Sequence, residues 1–437
     1  MSQPPAIARL AAPLGLTALL LCARLVAVPA LSDPVAGSAP PSLRLAVPWL
    51  YLALAPLFTL WDGVSMLSMG RLRGFLLGLA ALYLAWRIGR LLRPRYAQGT
   101  SAALRFSMLK EIRTLAVTLV LLAAFILGGA LWHRPMLALA GTDPHDVVVD
   151  FHSHTNVSHD VRNTLMRGFD TEANLRWHTR AGFDATFITD HNTVEGLEGR
   201  DEGLRVRDQE RGTTDQHKQT RMCPGIEVSA WRAHIVLLGD TAPVDQSRYN
   251  GSLDALVTLL ATSDSALGAL SLASLPEYRR NHWGRLDQLL AAGLDGFEIV
   301  NASPKANELP RAERDSVTAL ARANNRFVVG VSDTHGWGAT SMVWNLVHAS
   351  AATASDPCSA IFRTLHSGFS AVRIVERHRL RPDAWWPSWL TPVGVVWETW
   401  RSMGWALTAA WLVWIWLWAI RPRRTTRLPA RPPLAGS

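Results

Sequence analysis

Nineteen consecutive uncharged residues, Thr114 to Trp132 (TLAVTLVLLAAFILGGALW), constrain this 437-residue chain more than any other stretch. As a helix rising about 1.5 Å per residue, the run nearly crosses a hydrocarbon core of ~30 Å. Ser402 to Ile420 is a second uncharged run, rich in Trp and followed at once by Arg421-Pro422-Arg423-Arg424. That is the pattern of an interfacial aromatic belt with a basic flank. Leu45–Trp61 and Gly74–Trp86 are further apolar blocks, and Leu10–Leu31 is apolar apart from Arg24. The small residues AVPA at the end of that first block also suit a leader segment. The sequence therefore predicts about four membrane helices within residues 1–140 and one Trp-rich membrane helix with a basic tail within 383–437.

Charge divides along the same lines. Residues 1–140 carry a net +10, residues 421–437 a net +5, and residues 141–420 a net −6. The basic excess thus flanks the apolar runs, and the middle lacks the clustered Lys/Arg of a broad nucleic-acid surface. By the positive-inside rule, the arginine-rich loop before Thr114 and the C-terminal tail both face the cytoplasm. This predicts an integral protein of a bacterial inner membrane with its polar middle outside the cytoplasm.

That middle alternates between two periods. Strand-like runs occur at Asp146–Phe151, Ala185–Thr189, Gly225–Ser229, Ile235–Gly239, Ala269–Ala273, Gly296–Val300, Phe327–Val331 and Ala371–Val375. Helical patterns lie between many of them, at Thr171–Arg180, Leu253–Thr262, Arg285–Ala292 and Arg311–Asn324. Such alternation predicts an α/β domain of parallel βαβ units, over residues 141–382, closed as a barrel. Residues 195–221 read as a polar surface insertion. Cys223 and Cys358 could pair or stay free, and the chain has no CxxC to suggest a cysteine-based zinc site.

Chemistry concentrates at the ends of four of these strands. In DFHSHTNVSHD (150–160), His152 and His154 stand two apart after a strongly β run, so both imidazoles point the same way. His159 and Asp160 follow. In TDHN, His191 ends the next strand, where the active sites of parallel βα barrels gather. In GIEVSAWRAHIVLLG, Glu227 lies inside an apolar strand and His234 opens the next run. An unpaired carboxylate there is costly, and a bound cation removes the cost. In SDTH, Asp333 and His335 form a further acid-x-His pair. Together these residues offer His, Asp and Glu ligands without Cys, a set that suits Zn, Mn or Fe. Metals side by side act as Lewis acids and lower the pKa of a bound water.

The ordered set HxHT, TDHN, GIE, a following His and SDTH resembles the polymerase-and-histidinol-phosphatase (PHP) family over about 146–376. The resemblance implies a distorted (β/α)7 barrel, here preceded by a helical membrane bundle and followed by one transmembrane helix. It implies a metal-dependent phosphoesterase that hydrolyses a phosphate mono- or diester of a phosphorylated small molecule with two or three divalent ions. Carried over by motif, His152 and His154 share one metal with Glu227 and Asp333. His191 and His335 serve another, joined by His159 or Asp160, of which His159 fits the spacing slightly better. His234 serves a further metal, with Glu227 bridging. Asp333 and His335 are the candidates to relay protons, and Arg279 and Arg280, with Arg232, to hold the phosphate. One departure stands out. The family's Ala-His-Pro is Ala273-Ser274-Leu275-Pro276 here, which favours two metals over three unless another residue, such as His282, replaces the missing His. The alternatives are hydrolysis of another bond on the same metals, or a degenerate metal-binding sensor domain.

Overall fold

The computed structural model describes residues 6–91, 101–197, 220–239, 243–348 and 356–420. Most of the insertion expected at 195–221, the loop arginines Arg93 and Arg95 and the arginines of the C-terminal tail lie outside the described residues.

The chain forms twelve described strands: β1 (Leu31–Ser32), β2 (Arg44–Ala46), β3 (Ala138–Ala140), β4 (Asp146–Ser153), β5 (Ala185–Ile188), β6 (Arg221–Ala230), β7 (Ala233–Leu238), β8 (Leu270–Ala273), β9 (Gly296–Asn301), β10 (Phe327–Val331), β11 (Val343–His348) and β12 (Val372–Arg377). Ten of them make one sheet in the order β1-β12-β11-β4-β5-β6-β7-β8-β9-β10, and β2 pairs with β3 apart from it. The sheet is curled. Beyond the end of β10, the Asp333 N–H donates to the His152 carbonyl at 2.9 Å, and the His154 N–H donates to the Thr334 carbonyl at 3.1 Å. These bonds bring the last strand of the order back against β4.

The side-chain pattern shows why the sheet curls. Val147, Val149 and Phe151 of β4 meet Phe187 of β5, Val236 and Leu238 of β7, Leu272 of β8 and Val329 and Val331 of β10 in one buried cluster. These are alternate residues of each strand, so one face of the whole sheet closes on itself. Val148, the residue between, points outward into a second cluster with Phe169, Trp177 and Trp344. Strands covered on both faces read as continuous apolar runs, which is how VVVDF appears in the sequence. The outer cover comes from helices Thr171–Ala181, Leu253–Leu267 and Arg311–Ala323.

Two features depart from the expected parallel series. β7 runs antiparallel to both β6 and β8. Only Trp231 and Arg232 join β6 to β7, with Arg232 at a φ of 52°. Two residues make a hairpin, whereas a parallel crossover needs a dozen or more. β11, which pairs antiparallel with β4 and β12, was not among the expected strands. Cys223 and Cys358, left open by the sequence, form a disulfide.

The N-terminal helices are α1 (Ala6–Leu25), α2 (Trp49–Ala53), α3 (Ala55–Ser65), α4 (Met69–Leu91) and α5 (Ser101–Leu131). Among the described residues two helical segments are long and apolar enough to cross a membrane, Met69–Gly89 and Met108–Leu131. α1 and the C-terminal helix Trp405–Ile420 are apolar but shorter. The Leu45–Trp61 block is not one helix. It breaks at Leu54, between α2 and α3, where Pro56 supplies a helix start and no N–H. Helix α5 runs so close to α3 that a side chain at Gly129 would collide with the Trp61 ring.

One buried carboxylate is a central fastening between the helices and the sheet. Asp62 of α3 is 0% exposed. Its Oδ1 lies 2.8 Å from the Arg134 guanidinium and accepts from Thr340 at 2.9 Å. Its Oδ2 accepts from Tyr51 and from Arg377 of β12, each at 2.7 Å. Removing one partner of a buried ion pair costs about 3–5 kcal/mol, because the other is left charged and unpaired. Asp62→Ala is therefore expected to lower the thermal unfolding midpoint of the detergent-solubilised chain markedly. Leu119→Ala, on the exposed surface of α5, is expected to leave it near the wild-type value.

Candidate metal centre

The rim of the curled sheet collects the ionisable residues because of strand direction. β4, β5 and β6 run parallel, so their C-terminal ends share a rim. β7 is antiparallel, so its beginning lies at that same rim, and His234 is its second residue. The segment after β10 joins through its bonds to β4. Asp333 sits there with a φ of 45°, an uncommon conformation for a residue with a side chain. The bond from its N–H to His152 holds it.

Glu227 occupies the centre. Its side chain is nearly fully buried, and four imidazoles converge on it. Oε2 lies 3.2 Å from His152 Nε2, 3.4 Å from His154 Nε2 and 3.2 Å from His191 Nδ1. Oε1 lies 3.2 Å from His234 Nδ1. On one side, Asp333 Oδ1 comes within 3.3 Å of His154 Nε2. On the other, Asp160 Oδ2 lies 3.1 Å from His191 Nε2 and 2.6 Å from His335 Nε2. Three overlapping groups have ligating atoms close enough to share an ion: His152, His154 and Asp333; His154, Asp160, His191 and His335; and His191, Glu227 and His234.

The donors are oriented for a cation. His152 Nδ1 lies 2.6 Å from the buried carboxylate of Glu298, which keeps its proton on that side and turns the Nε2 lone pair inward. His335 Nδ1 faces the Asp333 carbonyl at 2.8 Å, with the same effect. Glu227 Oε2 and His191 Nδ1 are buried, face each other, and have no hydrogen-bond partner. Buried polar atoms are nearly always partnered. A divalent ion at this point satisfies both, so the residues present fit such an ion.

The electrostatics point the same way. Burial opposes ionisation of Glu227, yet His152 and His191 hold its carboxyl well below the usual range. Burial also opposes a charged His335, but the Asp333 and Asp160 carboxylates outweigh it and push the imidazole up to about 9. His234 rises to about 9 against burial, through its hydrogen bond to Glu227 and that carboxylate's charge. His154 goes the other way, to about 4, because burial dominates and His335 adds a like charge. The site is a dense set of carboxylates that attracts positive charge.

The structure separates some candidates from the rest. Asp160, not His159, turns its side chain into the cluster. The two are neighbours in the short helix His159–Arg162, where successive side chains diverge by about 100°, and Ser158 Oγ fixes Asp160 Oδ1 at 2.6 Å. His159 is exposed, its ring 4.9 Å from that of His191. Arg279 is paired with Glu313, and Arg280 is exposed. His282 does not join His234. Its Nε2 lies 3.2 Å from the carbonyls of Trp231 and Arg232. Glu277, the residue after Ala273-Ser274-Leu275-Pro276, comes within 3.9 Å of His234 instead. Glu277 and Glu298 were both missed from sequence. Glu298 carried a usable signal, an acid inside the apolar strand GFEIV, which is the reasoning that selects Glu227.

No family model matches the chain, and no curated protein matches it. Solved structures do. One from Bifidobacterium adolescentis, described as a "putative metal-dependent phosphoesterase", shares 18% identity over 44% of this chain and 88% of its own, with a TM-score of 0.30. PsfC from Pseudomonas syringae shares 17% over 57% of this chain and 95% of its own, with a TM-score of 0.35. An amidohydrolase from Chromobacterium violaceum, with bound sulfate and no metal, shares 16% over 54% and 98%, with a TM-score of 0.29.

Two outcomes check this geometry. Asp160→Ala is expected to lower the divalent metal retained after dialysis, read by elemental analysis, whereas His159→Ala is expected to retain the wild-type amount. Glu298→Ala is expected to weaken metal affinity about 10–100-fold by freeing the His152 ring, read by competition with a chromogenic chelator.

Proposed function

We propose that the chain is a membrane-anchored, metal-dependent phosphoesterase that hydrolyses a phosphate ester outside the cytoplasm. The observation that carries this reading is Glu227, a buried carboxylate reached by four imidazoles and flanked by two aspartates. A His/Asp/Glu donor set suits Mn, Zn or Fe. One ion would be held by His152, His154, Glu227 and Asp333, and a second by Asp160, His191 and His335. Glu227, His234 and Glu277 offer a place for a third. Bound ions supply Lewis acidity toward phosphoryl oxygens and an acidified water.

The residues of the chain do the positioning. Glu298 fixes the His152 ring, and Ser158 fixes Asp160. Asp333 and His335 line a cavity and are the catalytic residues of this reading, since they border that cavity as well as the cluster. Placement outside the cytoplasm is supported by the Cys223–Cys358 disulfide, a bond that persists in oxidising compartments. Membrane anchoring is supported by the two long apolar segments in α4 and α5.

The test uses the purified full chain in detergent. Metal content is measured alongside hydrolysis of an aryl phosphate, an aryl carboxylate ester and an anilide. Bound metal with turnover of the phosphate, lost on chelation and restored by Mn, Zn or Fe, is the expected result. Glu227→Gln is expected to lower kcat by at least about 100-fold, the scale of losing an electrostatic stabiliser. Turnover of the carboxylate ester or anilide alone would overturn the phosphoester assignment. Absence of bound metal after reconstitution would overturn the hydrolase.

A further inference from the structure

The cavity beside the metal centre has two unlike walls. It encloses about 480 Å³, within the range of small-molecule sites. One wall belongs to the rim and includes Asp333 and His335. The other is built by helices and includes Leu72 and Phe75 of α4 and Leu122, Phe125 and Ile126 of α5. These are the helices that contain the two segments apolar and long enough to cross a membrane.

The helix wall does not end at the cavity. No residue in the apolar window of Met108–Leu131 is buried inside the protein. Ile126 and Leu76, which line the cavity, are 40% and 45% exposed, and Leu119, Val120 and Leu121 of α5 are more than half exposed. Apolar surface of this kind is covered by hydrocarbon in a bilayer. The cavity therefore joins a cluster of ionisable residues to an apolar helix surface.

We propose that the substrate is a lipid phosphate: a phosphate ester whose alcohol carries a hydrocarbon chain and which enters sideways from the membrane. This rests on the phosphoesterase reading above. The phosphate would be drawn to the ions that the cluster would hold, on the side where Asp333 and His335 line the cavity, and the chain lies along α4 and α5. In hydrolysis, the oxygen of a water forms the new bond to phosphorus. The bond from phosphorus to the chain-bearing oxygen breaks. That oxygen takes up a proton, releasing a long-chain alcohol and inorganic phosphate. A soluble phosphate ester would leave the helix wall bare and gain nothing from it.

The experiment uses the full chain in detergent or lipid nanodiscs with a series of alkyl phosphates from ethyl to dodecyl. kcat/KM is expected to rise with chain length by more than about tenfold, since each methylene in an apolar pocket counts strongly. Leu122→Trp fills the helix wall and is expected to lower the dodecyl-to-ethyl ratio about tenfold. Leu119→Trp, on the exposed surface, keeps the wild-type ratio. A second readout does not depend on turnover. A dodecyl phosphonate with a photoreactive group at its chain end is expected to label peptides that contain Leu72–Leu76 or Leu122–Ile126, as read by mass spectrometry. Ester hydrolysis independent of chain length, together with labelling elsewhere, overturns the lipid substrate and leaves the phosphoesterase standing. Failure to hydrolyse any phosphate, with the label still on α4 and α5, overturns the phosphoesterase and leaves a lipid-binding cavity.

Discussion

Two backbone hydrogen bonds, from Asp333 to His152 and from His154 to Thr334, close the curled sheet. Three of those four residues also bring ligating side chains to the metal centre. Closure and site are therefore one interaction. If the segment after β10 moved away from β4, Asp333 would leave His154 and His335 would leave Asp160, and two carboxylates would lose imidazole partners. A buried carboxylate without partners is expensive, so the cluster itself disfavours opening. The interior apolar face, from Phe151 round to Val331, supplies the driving force for the curl. The rim chemistry then fixes where the curl ends.

The helices are not a loose tether. Asp62 sits between two guanidiniums from separate segments, Arg134 after α5 and Arg377 on β12. Taking these charges out of water is favourable only with close geometry, and the bonds from Tyr51 and Thr340 complete it. The Arg134 guanidinium also lies 5.7 Å over the Trp61 ring, which itself packs against α5. Asp62 lies at the end of an apolar run, and its partners give it a structural role, because it joins helix to sheet.

Much of this was legible in the sequence, and the exceptions have physical reasons. Apolar runs such as VVVDF and FVVGV located strands within a residue or two, because strands covered on both faces are continuously apolar. The motifs HxH, DHN, GIE and DTH located most of the residues that meet at the rim, because each follows such a run. Strand direction was not legible from alternation alone. The two-residue link Trp231-Arg232 did carry the information, since no crossover fits in it. Spacing favoured His159 slightly, and the structure turns Asp160 inward instead, because the outcome depends on which of two neighbours a single helical turn directs inward. Glu277 was hidden for a similar reason. Its proximity to His234 follows from the turn after β8, not from any pattern in the strand. Leu45–Trp61 read as one apolar block because uncharged composition does not reveal a break at Leu54 ahead of Pro56.

The same constraints explain how an acid-rich metal rim can lie against apolar helices. A charged cluster beside a membrane surface would ordinarily be covered by polar loops, because exposed carboxylates favour water. Here the carboxylates face inward, toward Glu227 and the imidazoles, and the residues that close the sheet present Asp333 and His335 at the edge of the helix wall. The Asp62–Arg134 pair holds the end of α5, and Arg71 of α4 donates to the carbonyls of Pro382 and Ala384, so both sides of that wall are fixed. A flexible attachment would let the helices separate from the rim, and the cavity between them would have no fixed shape. The fixed attachment gives it two walls of unlike composition, one with the ionisable residues Asp333 and His335 and one of apolar side chains. The proposed lipid phosphate is amphiphilic in the same sense, with one end suited to each wall.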